Sequence, residues 1–351
     1  MKNVKKTELH YALWEVTQKC NLRCIHCRAD AFPGKKEGKL IKGSDAFRLI
    51  DQLSEMGCPT LALTGGEPLL RKDIIQIVKY ATSKNVRTRI QSNAQLLTED
   101  IAGQLKDAGL FSYGVGMDGS NAEINDKIRN KKGAFDKAIA AIKMLKAKGI
   151  RVHVEFTVTK INLHDLHATL DLFESIGVDT FLARAAIFTG RAIVDNEVFR
   201  LSKLEYKNFL EQISKERKVR KLTLNCQDPL YHLADNSIVE KLKTYGDIYS
   251  GCVLSGCTAG LNMVHIHSNG NVGVCTFLQD IILGNIFKKP LQEIWDKRFN
   301  ILEVKRLAKR DYEGKCKSCS DKFICGGCRA RSLCIKNNLF EHDPYVKYPF
   351  S

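Results

Sequence analysis

Over the first 200 residues, short runs rich in β-branched and other apolar side chains alternate with longer stretches whose apolar residues return every three or four positions. The short runs predict strands at Ala12–Val16, Thr60–Thr64, Arg87–Gln91, Tyr113–Met117, Arg151–Thr159 and Thr180–Ile187. The longer stretches predict helices at Ser44–Met56, Lys72–Ser83, Thr98–Asp107, Ala134–Lys148 and Leu163–Ser175, with a sixth around Ser202–Glu216. Ser44 and Thr98 suit N-caps, and Gly57, Gly109, Gly149 and Gly177 stand just past helix ends. Six βα units imply a parallel sheet with right-handed crossovers. They are fewer than the eight of a closed barrel, so an α/β fold with an open, partial (β/α)6 TIM-type barrel is expected. The pattern then changes. Met263–His267 and Asn271–Phe277 flank an Asn-Gly turn and read as a β-hairpin. Cysteine-rich, loop-like sequence follows from Cys316 to Cys334. A smaller cysteine-rich α+β domain is therefore expected at the C-terminal end. With the boundary between Lys218 and Gly251, the division is 1–217 and 218–351.

Composition narrows the class. Apolar residues make up 44% of the 351 positions and charged residues 27%, the balance of a soluble globular chain. No run approaches the roughly 18 apolar residues of a membrane span. The segment Met1–His10 lacks the apolar stretch of a signal peptide. A cytoplasmic protein with no membrane partner is expected. The net charge of +16 fits a lysine-rich solvated surface or a polyanionic substrate such as a multi-carboxylate or acidic peptide. Nucleic acid is disfavoured, because the charge is spread along the chain and not gathered into one arm.

The 13 cysteines redirect the reading toward metal chemistry, since disulfides are disfavoured in a reducing compartment. They fall into groups: Cys20, Cys24 and Cys27; Cys252, Cys257 and Cys275; and Cys316, Cys319, Cys325, Cys328 and Cys334. Only Cys58 and Cys226 stand apart, and they read as buried structural thiols. The first group directly follows the first strand, at the mouth where such folds carry their sites. Three thiolates can hold three irons of a cubane and leave the fourth open. A structural zinc ion would want four ligands, and His26 is too close in sequence to complete a tetrahedron with its neighbours.

Cys20-Asn-Leu-Arg-Cys24-Ile-His-Cys27 after a first strand resembles the signature of the radical S-adenosylmethionine (SAM) superfamily. Further matches come in the family's order. Gly65-Gly66-Glu67-Pro68 ends the second strand and is similar to the segment that binds the SAM amino group. Ser92-Asn93 ends the third. Met117-Asp118-Gly119 ends the fourth, followed by Asp126-Lys-Ile-Arg129, which resembles contacts to the SAM ribose and carboxylate. Two positions depart from the family pattern: Gly116 replaces a serine, and Ala94 replaces a glycine. The resemblance implies SAM binding by Gly65, Gly66, Glu67, Ser92, Asn93, Asp118 and Arg129. It also implies a cluster on Cys20, Cys24 and Cys27, and an oxidoreductase or lyase that reductively cleaves SAM. The resulting 5′-deoxyadenosyl radical would abstract a substrate hydrogen. That chemistry belongs to the cofactor, so no side chain is assigned a catalytic role.

The later cysteines resemble the SPASM extension of this superfamily, which carries two auxiliary [4Fe–4S] clusters. By position, Cys252, Cys257, Cys275 and Cys328 would hold the first, and Cys316, Cys319 and Cys325 three corners of the second, for three clusters in all. The segment Phe188-Thr-Gly-Arg-Ala192 is also similar to that family. Where the family places its last cysteine after Asp-Pro, this chain has Asp343-Pro344-Tyr345-Val346. Cys334 is the favoured substitute. Asp343, His342 and an open site are the alternatives. Paired CxxC spacing at Cys316–Cys328 also admits a zinc ribbon. His265 and His267 alternate on a strand and so share one face, where a substrate contact is open to them.

The segments Trp14–Asp30 and Cys325–Arg331 resemble the alternative haem-pathway branch, whose haem b synthase decarboxylates two propionates of iron-coproporphyrin III. A porphyrin tetracarboxylate suits the positive charge. SPASM maturases of ribosomal peptides or proteins share most of these motifs, and enzymes modifying the cofactor of tungsten enzymes are a third relative. Reduced ferredoxin or flavodoxin is the expected electron donor. A non-catalytic iron–sulfur carrier or zinc-stabilised binding module is the reading outside enzymes, and the Gly65–Glu67 segment argues against it.

Overall fold

Residues 8–194, 196–237 and 256–346 are described by the computed structural model of the chain. Cys252 lies outside them. The six expected strands form within two residues of their expected ends: β1 (Tyr11–Thr17), β2 (Thr60–Gly65), β3 (Arg87–Ser92), β4 (Ser112–Gly116), β5 (Val152–Val158) and β6 (Thr180–Ala185). Between and after them run α1 (Ser44–Glu55), α2 (Ile74–Ser83), α3 (Glu99–Asp107), α4 (Ala122–Arg129), α5 (Ala134–Ala147), α6 (Leu166–Ser175), a single turn α7 (Asn196–Phe199) and α8 (Lys203–Val219). Thr98 caps α3, its hydroxyl accepting from the Ile101 amide at 3.2 Å. Ser44 does not cap α1. It is the helix's first residue, and Gly43 at φ 56° precedes it without a side-chain cap. Gly57, Gly109, Gly149 and Gly177 all have positive φ just past helix ends, as expected. A capping box of Ser202 and Glu205 starts α8.

These strands pair in parallel and in sequence order, and the sheet continues past residue 217. A short strand β7 (Thr223–Cys226) adds to β6. The predicted hairpin forms as β8 (Met263–Ile266) and β9 (Asn271–Cys275), with Gly270 at φ 86° in its turn. It then continues into β10 (Leu278–Asn285). Strand β8 pairs in parallel with β1, Leu13 opposite His265 and Trp14 opposite Ile266. Among the described residues the result is one ten-stranded sheet in the order β10-β9-β8-β1-β2-β3-β4-β5-β6-β7. The cysteine-rich region holds three short helices, α9 (Leu291–Asp296), α10 (Leu302–Lys309) and α11 (Arg329–Lys336).

Alternation along the strands sorts the two faces. Ala12, Trp14 and Val16 of β1, and Phe181, Ala183 and Ala185 of β6, enter the main core beneath the helices. Leu13, Glu15, Leu182 and Arg184 take the opposite, concave face. There β4 presents Ser112, Gly114 and Gly116. A Cβ at Gly116 would stand 2.8 Å from both terminal nitrogens of Arg129. The missing serine at this position therefore makes room for a guanidinium.

A second apolar cluster gathers Val274, Leu278, Val304, Leu307 and Tyr312 around Cys316 and Cys328. It is tied to the barrel by a buried ionic network. Arg331 on α11 binds Asp228, which follows β7, with both terminal nitrogens, the Nη2 contact being 3.0 Å. The same guanidinium binds Asp343 at 2.8 Å. Burial opposes the charge of Asp228, but Arg331 holds its carboxyl below the usual range. Removing Arg331 would leave two buried carboxylates uncompensated. Arg331→Ala is expected to cost about 3–5 kcal/mol, read as a lower midpoint in anaerobic urea unfolding. A midpoint unchanged from the parent would show that the network does not hold the two regions together.

Candidate functional site

The loop after β1 carries Cys20, Cys24 and Cys27, and the ends of successive elements hold it. Gly66 and Glu67 donate backbone hydrogen bonds to the carbonyls of Thr17 and Lys19, both at 2.8 Å. These two chains approach so closely that a Cβ at Gly65 or Gly66 would collide with those carbonyl oxygens. From the end of β3, the Asn93 side chain donates to Asn21 at 2.8 Å and to the Cys20 sulfur at 3.6 Å. From the end of α4, the Ile128 carbonyl accepts from Ile25 at 3.0 Å. From the turn after β6, the Arg191 amide donates to the Cys27 carbonyl at 2.9 Å, and its guanidinium binds the carbonyls of Cys24 and Ala31. Gly190, at φ 60°, lies against the backbone of Cys27 and Arg28 with no room for a side chain.

Glu67 is 0% exposed. Its oxygens accept from the Leu69 amide at 3.0 Å, the Ser92 hydroxyl at 2.8 Å and the Asn93 amide at 2.8 Å. Burial raises its pKa against these hydrogen bonds. Asp118 is likewise fully buried. It faces Arg129 at 2.8 Å and His26 at 3.3 Å. The Arg129 guanidinium also reaches the Cys24 thiol, whose pKa burial raises. Gly65, Gly66, Glu67, Ser92, Asn93, Asp118 and Arg129 therefore all gather at the mouth around the cysteine loop. Ala94, standing where the family has glycine, is left-handed at φ 60°.

The later cysteines separate into two groups. Cys257 acts electrostatically on Cys275 and Cys328. Cys316, Cys319 and Cys325 form the other group, in which Cys316 feels Cys319, and Cys325 feels Cys316. The structure does not bring Cys334 to them. It is exposed on α11, six residues past Cys328, so helical geometry turns it away and carries it about 9 Å along the axis. Asp343 is also occupied, accepting from Arg331 and from the Cys328 amide at 2.7 Å. The Nδ1 of His342 is turned onto Glu341.

These thiols suit clusters. Among the described residues, no three cysteine sulfurs lie within 4.8 Å of one another. A zinc tetrahedron with Zn–S near 2.3 Å needs them about 3.8 Å apart, and a cubane spreads its ligands wider. Arg329 adds a second sign. It is fully buried, acts on Cys316 and Cys325, and its Nε and Nη2 have no hydrogen-bond partner among the described residues. Such a cation suits a group of net negative charge.

The model of the radical SAM superfamily matches residues 14–173, and that of SPASM, an iron-sulfur cluster-binding domain, matches residues 257–320. An AdoMet-dependent heme synthase from Methanosarcina barkeri is 32% identical over 345 residues, covering 95% of each chain. The chain belongs to the radical SAM superfamily. As a radical SAM enzyme with a SPASM region, it is built to bind [4Fe–4S] clusters and SAM, and it needs a reductant. Mycofactocin maturase MftC from Mycolicibacterium smegmatis is 27% identical, over 94% of this chain and 81% of the relative. The structure of Streptococcus suis SuiB bound to S-adenosylmethionine superposes with a TM-score of 0.76, at 17% identity, over 97% of this chain and 78% of that one. It shares the fold. No helix among the described residues is long and apolar enough to cross a membrane.

Sequence reasoning did not single out Arg191, Arg129's contact with Cys24, or the buried Arg329, whose Nη1 donates to the carbonyls of Leu339 and Glu341 while Nε and Nη2 lack partners among the described residues. Each lay in a segment compared with the family, but a contact across 160 residues leaves no periodic signal. Two outcomes follow. Left-handed backbone costs a non-glycine residue about 1–2 kcal/mol, partly offset by the flexibility of glycine. Ala94→Gly should thus raise stability by about 0.5–1 kcal/mol in chemical denaturation of the loaded enzyme. Burial also pushes the thiols of Cys20 and Cys325 up to about 12. In the cluster-free enzyme the unfolded chain gives up these protons from about pH 8.5 while the folded chain keeps them. Stability is complete below that pH and falls toward pH 12, by up to about 1.4 kcal/mol per pH unit per thiol. A pH series of unfolding midpoints on chelator-stripped enzyme reads this decline, which the cluster-loaded form should lack.

Proposed function

We propose that this radical SAM enzyme removes carboxyl groups from the propionates of an iron-porphyrin, as in haem formation. The observation carrying this reading is the end-to-end likeness to AdoMet-dependent heme synthase, which runs through the SPASM region as well as the barrel. In this reading Cys20, Cys24 and Cys27 hold the SAM-binding cluster. Cys252, Cys257, Cys275 and Cys328 hold a second, and Cys316, Cys319 and Cys325 supply three corners of a third. The clusters and SAM, when bound, supply one-electron cleavage of SAM and hydrogen abstraction from carbon.

The chain's own residues position and bind. The Gly65–Gly66 turn, pinned to the backbone of the cysteine loop, would offer its carbonyls to the SAM amino group. Glu67 acts as a positioning residue, locking this turn to Ser92 and Asn93. Asp118 and Arg129 set a buried ion pair beside Cys24. On the concave face, Arg184 has no carboxylate or hydrogen-bond partner among the described residues and lies 5.1 Å over the Phe277 ring. It acts electrostatically on Cys275. A partly buried, unpaired guanidinium beside an aromatic face suits a propionate on a flat macrocycle. Modification of a peptide, as the name of MftC indicates for that relative, is the competing reading. A ferredoxin or flavodoxin would deliver the electron.

The test is anaerobic incubation of reconstituted enzyme with SAM, reductant and iron-coproporphyrin III. Mass spectrometry should show stepwise loss of carboxyl groups with matching 5′-deoxyadenosine. Porphyrin recovered unchanged while 5′-deoxyadenosine forms would move the assignment to peptides. Arg184→Gln should weaken porphyrin binding roughly tenfold or more, the worth of one charge-assisted hydrogen bond, in a Soret-shift titration.

A further inference from the structure

Beneath the cysteine loop, on the concave face, Glu15 of β1 meets His265 and His267 on and just past β8. The two histidines are two residues apart, so their rings project from the same side, with centroids 4.3 Å apart. Leu13 lies opposite His265 in the parallel pairing, which puts Glu15 beside His267. The His265 Nε2 is 3.2 Å from one oxygen of Glu15, and the His267 Nδ1 is 3.9 Å from the other. One ligand atom from each residue lies within 4.8 Å of the other two. Metal–ligand bonds of about 2.0–2.2 Å place neighbouring ligand atoms about 3 Å apart, so small side-chain shifts suffice.

The hydrogen-bonding of these rings is incomplete. His265 is 0% exposed, and apart from the Glu15 contact of its Nε2 its ring has no hydrogen-bond partner at Nδ1 among the described residues, and the His267 Nε2 has none either. Buried polar atoms left in this state are uncommon, and few hydrogen bonds hold these rings against the small turns that would bring their other nitrogens onto an ion beside Glu15. Burial favours the neutral imidazole in both, the form that ligates metal. Room for the rings comes from the next strand, where Gly273 faces His265 and even a Cβ would stand 3.2 Å from the His267 Nε2. The facing cation is Arg28, whose Nη1 donates to Glu15 at 2.9 Å.

We infer that Glu15, His265 and His267 form a site for one divalent transition-metal ion, of the Zn2+ or Fe2+ class, distinct from the cysteine groups. Two histidines and one carboxylate occupy one side of such an ion and leave positions for water or a substrate oxygen. Arg28 balances the Glu15 charge when no ion is bound and competes with the ion for that carboxylate. The site stands whether the substrate is a porphyrin or a peptide.

The test uses cluster-loaded enzyme incubated anaerobically with Co2+ and desalted. Cobalt is measured by mass spectrometry and by the low-field EPR signal of high-spin Co2+, which is separate from the signals of reduced clusters. Wild type should retain about one cobalt per chain in this 2-His-1-carboxylate set. Glu15→Gln and His267→Gln should each weaken retention roughly tenfold or more, and Arg28→Gln should strengthen it. The His267 side chain is only 14% exposed, so cluster absorbance serves as the check that each variant is folded and loaded. Retention of no cobalt by both wild type and Arg28→Gln, or equal retention by wild type and His267→Gln, would overturn the site.

Discussion

The close approach of two backbones, Gly65–Gly66 against Thr17–Lys19, is the constraint on which the rest of this structure depends. Strand β2 would otherwise end where β1 ends. Two further hydrogen bonds instead extend the pairing into the cysteine loop, and only glycine lets the carbonyls of that loop come so near. Once this contact is made, Glu67 is carried beneath the turn, where its carboxylate engages Ser92 and the Asn93 amide. Asn93 then reaches back to Asn21 and Cys20. Three strand ends are thus locked into one assembly, and the thiols are held before any cluster arrives. Because the strands are parallel, their C-terminal ends meet at one mouth, and this is where such folds build sites.

The C-terminal half solves a related problem with charge. Its helices are short and its core small, yet it must hold two groups of thiols in fixed relation to the barrel. Arg331 joins Asp228, Asp343 and, through Asp343, the Cys328 amide. Tyr206 donates to Asp228 and stacks on Tyr345 at 4.0 Å. Each carboxylate is satisfied, so the network fixes geometry without leaving charge exposed to an apolar core. The Asp343-Pro344 segment thereby keeps a structural task at a place where Val346 stands in for a cysteine.

The barrel was legible because its strands are long enough to alternate and its helices long enough to repeat. The strands added at either edge were harder to read. Strand β7 spans four residues, and β10 reads as polar and exposed at its start. Helices α9, α10 and α11 are six to eight residues long, too short for a helical period to show. Motif order brought the first thiols and the residues compared with the SAM segments to one mouth, where the structure also gathers them. It misjudged Cys334, because spacing counts residues and not the turn of a helix. The two departures at the mouth differ once seen in three dimensions: Gly116 gives room to Arg129, whereas Ala94 stands in a left-handed backbone that favours glycine, and nothing in the structure explains the alanine.

The hairpin joins these two halves. Strand β8 lies on β1, so the segment that presents Cys275 grows from the same strand that launches Cys20. Arg28, the residue after Cys27, binds Glu15 on β1, and its carbonyl accepts from Gln279 on β10 at 3.3 Å. Both Arg28 and Arg184 also act on the Cys275 thiol. A shift of the loop that carries the first thiol group would thus move a cation against the second. Arg28 therefore links the loop of the first thiol group to the hairpin that carries Cys275, through Glu15 on one side and Gln279 on the other.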